Sequence, residues 1–110
     1  DTANCYDPTT NYRFTPNVAG YYQVNVQISN NTGTNTGYQL LFVYKNGSQF
    51  KGSLTQPSLN GNMQPVNTLI YLNGTTDYIE AYWWQGSGGN QQTALGSTYM
   101  YFQAFLARAA

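Results

Sequence analysis

Apolar and polar residues alternate along several short stretches of the chain. Between residues 22 and 28 the even positions are apolar or aromatic and the odd positions are Gln or Asn. This period of two predicts a strand with one face in a core and the other in water. Further runs of strand length lie at residues 38–44, 49–55, 66–72, 78–84 and 97–107. Because no window shows helical spacing, the pattern predicts an all-β chain.

Turn-forming residues separate these runs. Asn-Gly pairs occur at residues 46–47, 60–61 and 73–74, and this dipeptide is the commonest sequence in tight turns that need positive φ. Looser breaks are expected at residues 30–37 and 86–90. No internal repeat of domain-building length is present. We therefore expect a single domain over residues 1–110, in which the strands bury Phe14, Tyr22 and Phe102 as part of the core.

Three of the predicted strands, at residues 38–44, 78–84 and 99–106, are apolar or aromatic on both faces. A two-sheet sandwich has one interior, so the second face of such strands needs another cover, and no helix is predicted to supply it. We expect the three strands to share one sheet that is covered by other copies of the chain. The alternative is a monomer with ordinary surface tyrosines. The expected interface residues are Tyr38, Tyr78, Tyr82, Tyr99 and Tyr101.

Charge is scarce. The 110 residues include 4 Lys plus Arg, 4 Asp plus Glu and no His, so that 7% of the chain is charged, against about 25% in a typical soluble domain. Nucleic-acid binding needs a basic surface, which this composition does not supply. Catalysis or metal binding by His is excluded. The single Cys cannot form an intrachain disulfide, and no apolar run is long enough for membrane insertion.

The acidic residues offer little for catalysis. A glycosidase needs two carboxylates about 5 to 10 Å apart, but Asp77 and Glu80 would point to opposite faces of a continuous strand. Asp7 precedes a proline and is expected to accept Asx-type hydrogen bonds. We predict no enzymatic activity, no cofactor and no metal site. A carboxylate pair formed across chains, or an axial ion held by three copies of one acid, stays open.

Four pieces of the chain, in the same order, resemble the C1q-like domain of the C1q/TNF superfamily. They are Phe14-Thr15-Pro16 with Ala19-Gly20-Tyr21-Tyr22-Gln23-Val24, then Tyr44-Lys45-Asn46-Gly47, residues 69–81, and Phe102-Gln103-Ala104-Phe105-Leu106. The resemblance implies an antiparallel two-sheet jelly-roll sandwich of about ten strands that assembles as a homotrimer. It further implies that the strands lining the three-fold axis are the three that are apolar on both faces.

Within that superfamily, residues 13–24 are most similar to the C-terminal domains of bacteriophage tail fibres and other virion appendages. The chain lacks the Cys and much of the charge common in animal C1q domains. The resemblance implies the C-terminal domain of a longer fibrous chain, located on the virion, on a tail fibre or a capsid-attached appendage, and facing the extracellular medium.

Two adjacent tryptophans precede a loop rich in Gly, Ser, Asn and Gln at residues 85–92. Aromatic rings stack beneath the C–H faces of sugars, and amides bond to sugar hydroxyls, so this pairing suits an uncharged glycan. Trp84, Gln85, Asn90 and Gln91 are the candidate binding residues. In the alternative, Trp83 packs in the core, Trp84 lies at a subunit interface and the loop is only solvated.

The sequence therefore predicts a non-enzymatic receptor-binding tip that acts in host adhesion. As a homotrimer it would recognise a cell-surface receptor, a polysaccharide, without binding nucleic acid or inserting into a membrane. The alternative is a structural domain that nucleates trimerisation, caps a fibre or decorates a capsid without binding a host. A secreted signalling ligand is a third possibility, disfavoured by the low charge.

Overall fold

The computed structural model describes residues 3–30, 37–56, 63–94 and 96–110. All regular structure in these ranges is β, which confirms the predicted class, and they contain no helix able to cross a membrane. The strands are β1 (Tyr6–Asp7), β2 (Arg13–Phe14), β3 (Gly20–Ser29), β4 (Gln39–Lys45), β5 (Ser48–Thr55), β6 (Met63–Leu72), β7 (Ile79–Gln85) and β8 (Tyr101–Ala109). The eight described strands are fewer than the ten or so that were expected.

The strands form two antiparallel sheets. One has five strands in the order β1-β2-β7-β4-β5, and the other has three in the order β6-β3-β8. The chain moves from one sheet to the other between β2 and β3, and again between β3 and β4, β5 and β6, β6 and β7, and β7 and β8. Buried residues of both sheets belong to one core cluster, as expected for a two-layer β-sandwich.

The core follows from the period of two in β3. Tyr22 is 5% exposed, and Phe14 and Phe102 are partly buried against the same cluster. The Phe14 ring centroid lies 5.7 Å from that of Tyr22 and 6.3 Å from that of Phe102. Of the three residues predicted in the core, Tyr22 thus lies in it and Phe14 and Phe102 pack against it. The remaining buried apolar residues are Val24, Val26, Leu41, Val43, Val66, Ile70, Leu72 and Ile79.

Two of the predicted Asn-Gly turns lie in the described residues. Asn46 and Gly47 both have positive φ, at 51° and 80°, as a two-residue type I′ hairpin requires. Gly74 has a φ of 72°. The turn predicted at residues 60–61 lies outside the described residues, as does most of the break predicted at residues 30–37.

The three strands that are apolar on both faces do not share a sheet, so that expectation is wrong. β4 and β7 are neighbours in the five-stranded sheet, whereas β8 pairs with β3 in the three-stranded sheet. Because β8 covers the core from the other side, its outer face and the outer face of β7 lie on opposite sides of the sandwich. Apolar residues on both faces of a strand indicate that its second face is also apolar, but they do not show to which sheet the strand belongs.

Candidate ligand-binding face

The outer side of β4, β5 and β7 carries a continuous group of large apolar side chains. Because side chains alternate along a strand, the burial of Leu41 and Val43 in the core places their neighbours on this outer side. Leu40 pairs with both Leu54 and Trp84, and Phe42 pairs with both Gly52 and Tyr82. We call this surface the aromatic face. Its members are Leu40, Phe42, Tyr44, Leu54, Tyr82 and Trp84.

The aromatic face is open and slightly concave. Trp84 is 54% exposed and Tyr82 is 49% exposed. A concavity of about 330 Å³ lies among the aromatic rings and Gln49, near the lower end of the range for small-molecule sites. The Tyr44 and Tyr82 rings are 4.4 Å apart between centroids, and the Gln49 amide donates to the Tyr44 hydroxyl at 3.3 Å. The surface thus combines apolar rings with amide and hydroxyl groups at one edge.

Two glycines lie directly beneath two of these rings. A Cβ atom at Gly52 would be 2.5 Å from Cδ1 and 2.6 Å from Cε1 of Phe42. A Cβ atom at Gly86 would be 2.8 Å from Cη2 of Trp84. Both rings therefore lie over bare backbone, in positions that any larger residue beneath them would block. The role of Gly52 was not predicted, because a glycine within a strand pattern does not show which aromatic ring of a neighbouring strand lies over it.

The amide-rich loop after β7 uses much of its polar capacity internally. Gln85 accepts from the Ser87 backbone N–H at 2.8 Å and from the Ser87 hydroxyl, and it donates to the Gly89 carbonyl at 2.7 Å. Gln91 donates to the Ser87 hydroxyl at 3.2 Å. Gln85 also alternates with Trp84 along β7 and so lies on the other side of the strand. Of the four predicted binding residues, Trp84 and Asn90 are exposed, whereas Gln85 and Gln91 hold the loop together.

Trp83 is half-buried and packs against the core, as the alternative interpretation of the tryptophan pair held. Its indole N–H donates to Oε1 of Gln39 at 3.2 Å, and the Gln39 carbonyl accepts from the Gln64 amide at 2.8 Å. Both glutamines are fully buried. These hydrogen bonds tie β4, β6 and β7 together behind the aromatic face and fix the strand that presents Trp84.

The five tyrosines predicted at a subunit interface lie in separate places. Tyr82 is on the aromatic face, and the exposed Tyr38 precedes β4, where its carbonyl accepts from Gly86 at 2.9 Å. The Tyr78 ring lies beneath the Arg13 guanidinium, 4.0 Å from its carbon. The other two, Tyr99 and Tyr101, belong to the opposite side of the sandwich. Tyr99 is exposed, and the Tyr101 hydroxyl donates to Gln27 at 3.2 Å.

The outer side of the three-stranded sheet is a second exposed surface, which we call the β3 face. Gln23 of β3 pairs with Leu69 on one side and with Phe105 on the other. Leu69 is 52% exposed and Phe105 is 56% exposed. The centre of the surface is uncharged, with amides between apolar groups. The residues of this face are Tyr21, Gln23, Asn25, Gln27, Pro65, Asn67, Leu69, Tyr71, Tyr101, Gln103 and Phe105, and Arg108 lies opposite Tyr21 at its edge.

The carboxylates bind their own surroundings. Asp7 accepts from the backbone N–H groups of Thr9, Thr10 and Asn11 at 2.9 to 3.0 Å, which holds the pKa of its carboxyl well below the usual range. The predicted Asx-type role of Asp7 is thus confirmed. The arrangement stabilises the turn between β1 and β2.

The other two described acids are paired with cations. Asp77 accepts from the Asn46 amide at 2.8 Å and lies 3.1 Å from the Lys45 ammonium, and these contacts lower the pKa of its carboxyl, with the Asn46 bond contributing most. Glu80 lies 3.2 Å from the Arg13 guanidinium. Within the described ranges no group of three His, Cys, Asp or Glu side chains is placed to hold a metal ion.

The chain matches no known protein family and no curated protein sequence.

Proposed function

We propose that this chain is a non-enzymatic adhesion domain, the receptor-binding tip of a phage tail fibre or virion appendage, which recognises an uncharged glycan on the host surface. The observation that carries the proposal is the aromatic face, where exposed Trp84 and Tyr82 flank a concavity on a chain with very few charges. The resemblance of residues 13–24 to such virion domains supports the location. Trp84 stays the central candidate residue for binding, and the exposed Asn90 of the following loop stays a second candidate.

The proposed assembly is a homotrimer of jelly-roll domains whose β3 faces meet around a common axis. The repeated crossing of the chain between two sheets is compatible with a jelly-roll connection. Exposed Leu69 and Phe105, together with Tyr101, give the β3 face apolar surface, and a contiguous exposed patch of this kind marks an association site. Amides such as Gln23 can pair with amides of another copy and leave no buried charge.

Adsorption of the isolated domain to a panel of candidate bacterial hosts tests the proposal. We expect adsorption that survives high salt, because the members of the aromatic face are uncharged and Glu80, opposite Tyr44, is paired with Arg13. The adsorbed domain should also block infection by the parent virion. Trp84→Ala should abolish adsorption while leaving the oligomer intact, and Tyr12→Ala, at an exposed aromatic elsewhere, should not. If wild-type protein fails to adsorb to any host that the virion infects, the adhesion role is wrong.

A structural cap is the second candidate function. It is favoured by β8, a nine-residue strand at the edge of its sheet whose last five residues are all exposed, because long exposed edges promote association without any ligand. In this case the domain would trimerise or register the preceding fibre, or decorate a capsid. Failure of upstream fibre segments to trimerise without the domain, together with no host adsorption, would favour this role.

A further inference from the structure

Two rings of the aromatic face lie over glycines of the sheet, and this placement determines what the face can bind. The Phe42 ring lies over Gly52 of the neighbouring strand, and the Trp84 ring lies over Gly86. Tyr82 lies opposite Phe42 in the pairing register and two residues from Trp84 along β7. The Tyr44 ring is inclined at 73° to the Phe42 ring and at 34° to the Tyr82 ring. The four rings therefore do not form one plane, and the two that lie over glycines, Phe42 and Trp84, are the ones placed for stacking.

The rings follow the direction of the strands. Tyr44 pairs with Glu80, which is four residues from Trp84 along β7. The line from Trp84 to Tyr44 is therefore about 13 Å long. This distance is longer than one sugar ring. Hydroxyl and amide groups of Tyr44 and Gln49 stand at the far end, where they can bond to sugar hydroxyls.

The size and charge of the face favour a saccharide over a second copy of this chain. Fewer side chains form it than form the β3 face, so of the two outer faces it is the less suited to an interface between copies. Its concavity of about 330 Å³ suits a small or narrow ligand. The members of the face are uncharged. Glu80 lies opposite Tyr44 on the same side of the sheet, where it is nearly buried and paired with Arg13. Because the charge of Arg13 is already balanced by Glu80, the face offers little attraction to an anionic ligand.

We propose that the aromatic face is an extended subsite for an unbranched, uncharged polysaccharide whose sugars have flat C–H faces, with two or more units lying along the Trp84–Tyr44 line and stacking on the Trp84 and Phe42 rings. This inference rests on the proposed adhesion function and specifies its ligand. Branches or axial hydroxyls would lift the saccharide off the rings. Affinity should therefore depend on chain length and on flatness rather than on charge.

The test uses the wild-type domain and cello-oligosaccharides of one to six glucose units as probes. The chain has two tryptophans, so its ¹⁵N spectrum contains two indole N–H signals, which Trp84→Ala assigns. We expect the Trp84 signal to shift. The affinity measured by calorimetry should rise with the number of glucose units in the probe until about three units cover the span of about 13 Å, and then level off. Oligogalacturonates of equal length should bind more weakly.

Variants locate the subsite. Trp84→Ala should weaken binding of the longest probe about tenfold, the loss expected for one stacked ring. Gly52→Ala should weaken it too, because the added methyl displaces the Phe42 ring. Gly89→Ala is the matched control, since a Cβ there meets nothing within 4 Å, and its affinity should equal wild type.

Three results would overturn the inference: no shift of the Trp84 signal with any probe at millimolar concentration, unchanged affinity in both Trp84→Ala and Gly52→Ala, or a change of oligomeric state in Trp84→Ala. The last would make the face an interface between copies. Failure here differs from failure of the adhesion role. Adsorption that persists without oligosaccharide binding would place the receptor site elsewhere, and oligosaccharide binding without adsorption would remove the host role alone.

Discussion

Phe105→Asp should dissociate the proposed trimer. Phe105 lies on the outer side of β8, opposite Gln23, and is 56% exposed. A phenylalanine has about 200 Å² to bury, so about 110 Å² is available for an interface. At about 25 cal/mol per Å² this surface contributes about 3 kcal/mol per chain. Over three chains the loss reaches about 8 kcal/mol, which is about a millionfold in the dissociation constant. Burying the introduced carboxylate in the trimer interface would destabilise the trimer further.

Sedimentation velocity at micromolar concentration measures the outcome, with far-UV circular dichroism to confirm that the β fold is retained. Leu54→Asp is the matched control, because Leu54 is 57% exposed on the aromatic face. We expect a trimer for wild type and Leu54→Asp, and a monomer for Phe105→Asp. A wild-type monomer would refute the trimer itself. Dissociation of Leu54→Asp but not of Phe105→Asp would show that copies meet through the aromatic face instead.

Two further predictions concern stability. Gly74→Ala should lower the free energy of unfolding, measured with denaturant, by about 2 to 5 kcal/mol, since Gly74 has a φ of +72° and an added Cβ would lie 2.5 Å from the Val18 carbonyl carbon. The control Gly89→Ala should change it by less than about 1 kcal/mol. Equal denaturation midpoints for the two variants would contradict the prediction. Both Asp7 and Asp77 have lowered pKa values in the folded state. Their carboxylates therefore stabilise the fold above the unfolded pKa of about 4, and Tm should fall as the pH drops below it, with a shallower fall in the Asp7→Asn/Asp77→Asn variant.

Local patterning predicted the strands well because each strand covers the core with one face. In β3 the alternation of apolar residues with Gln and Asn fixed the inner face around Tyr22. In β4 the same alternation placed Gln39 on the inner side with Leu41 and Val43, where it is buried. The pairing of β8 with β3 was not predictable in this way. A period of two describes the two faces of one strand and holds no information about which strand pairs with it.

The candidate site was predictable only in part. Trp84 was named because two tryptophans precede an amide-rich loop, and the structure places it on an exposed face. The bonds of Gln85 within its loop were not predictable, because composition does not show whether an amide bonds to a ligand or to its own loop. The support of Phe42 by Gly52 depends on the register between β4 and β5, which is a long-range property that the sequence pattern does not give.

The two outer faces give the proposed trimer separable roles, which one variant can distinguish. Because the β3 face and the aromatic face lie on opposite sides of the sandwich, a trimer joined through the first presents three copies of the second outward. Linked sites of this kind gain about 10²- to 10⁴-fold in avidity over single sites. Monomeric Phe105→Asp should therefore bind a soluble oligosaccharide with wild-type affinity per chain, while its adsorption to host cells falls by about 10²-fold or more. Calorimetry and cell adsorption on the same preparation measure the two quantities. Equal adsorption by monomer and trimer would mean that one site suffices, and a parallel loss of oligosaccharide affinity would mean that assembly and ligand binding use the same surface.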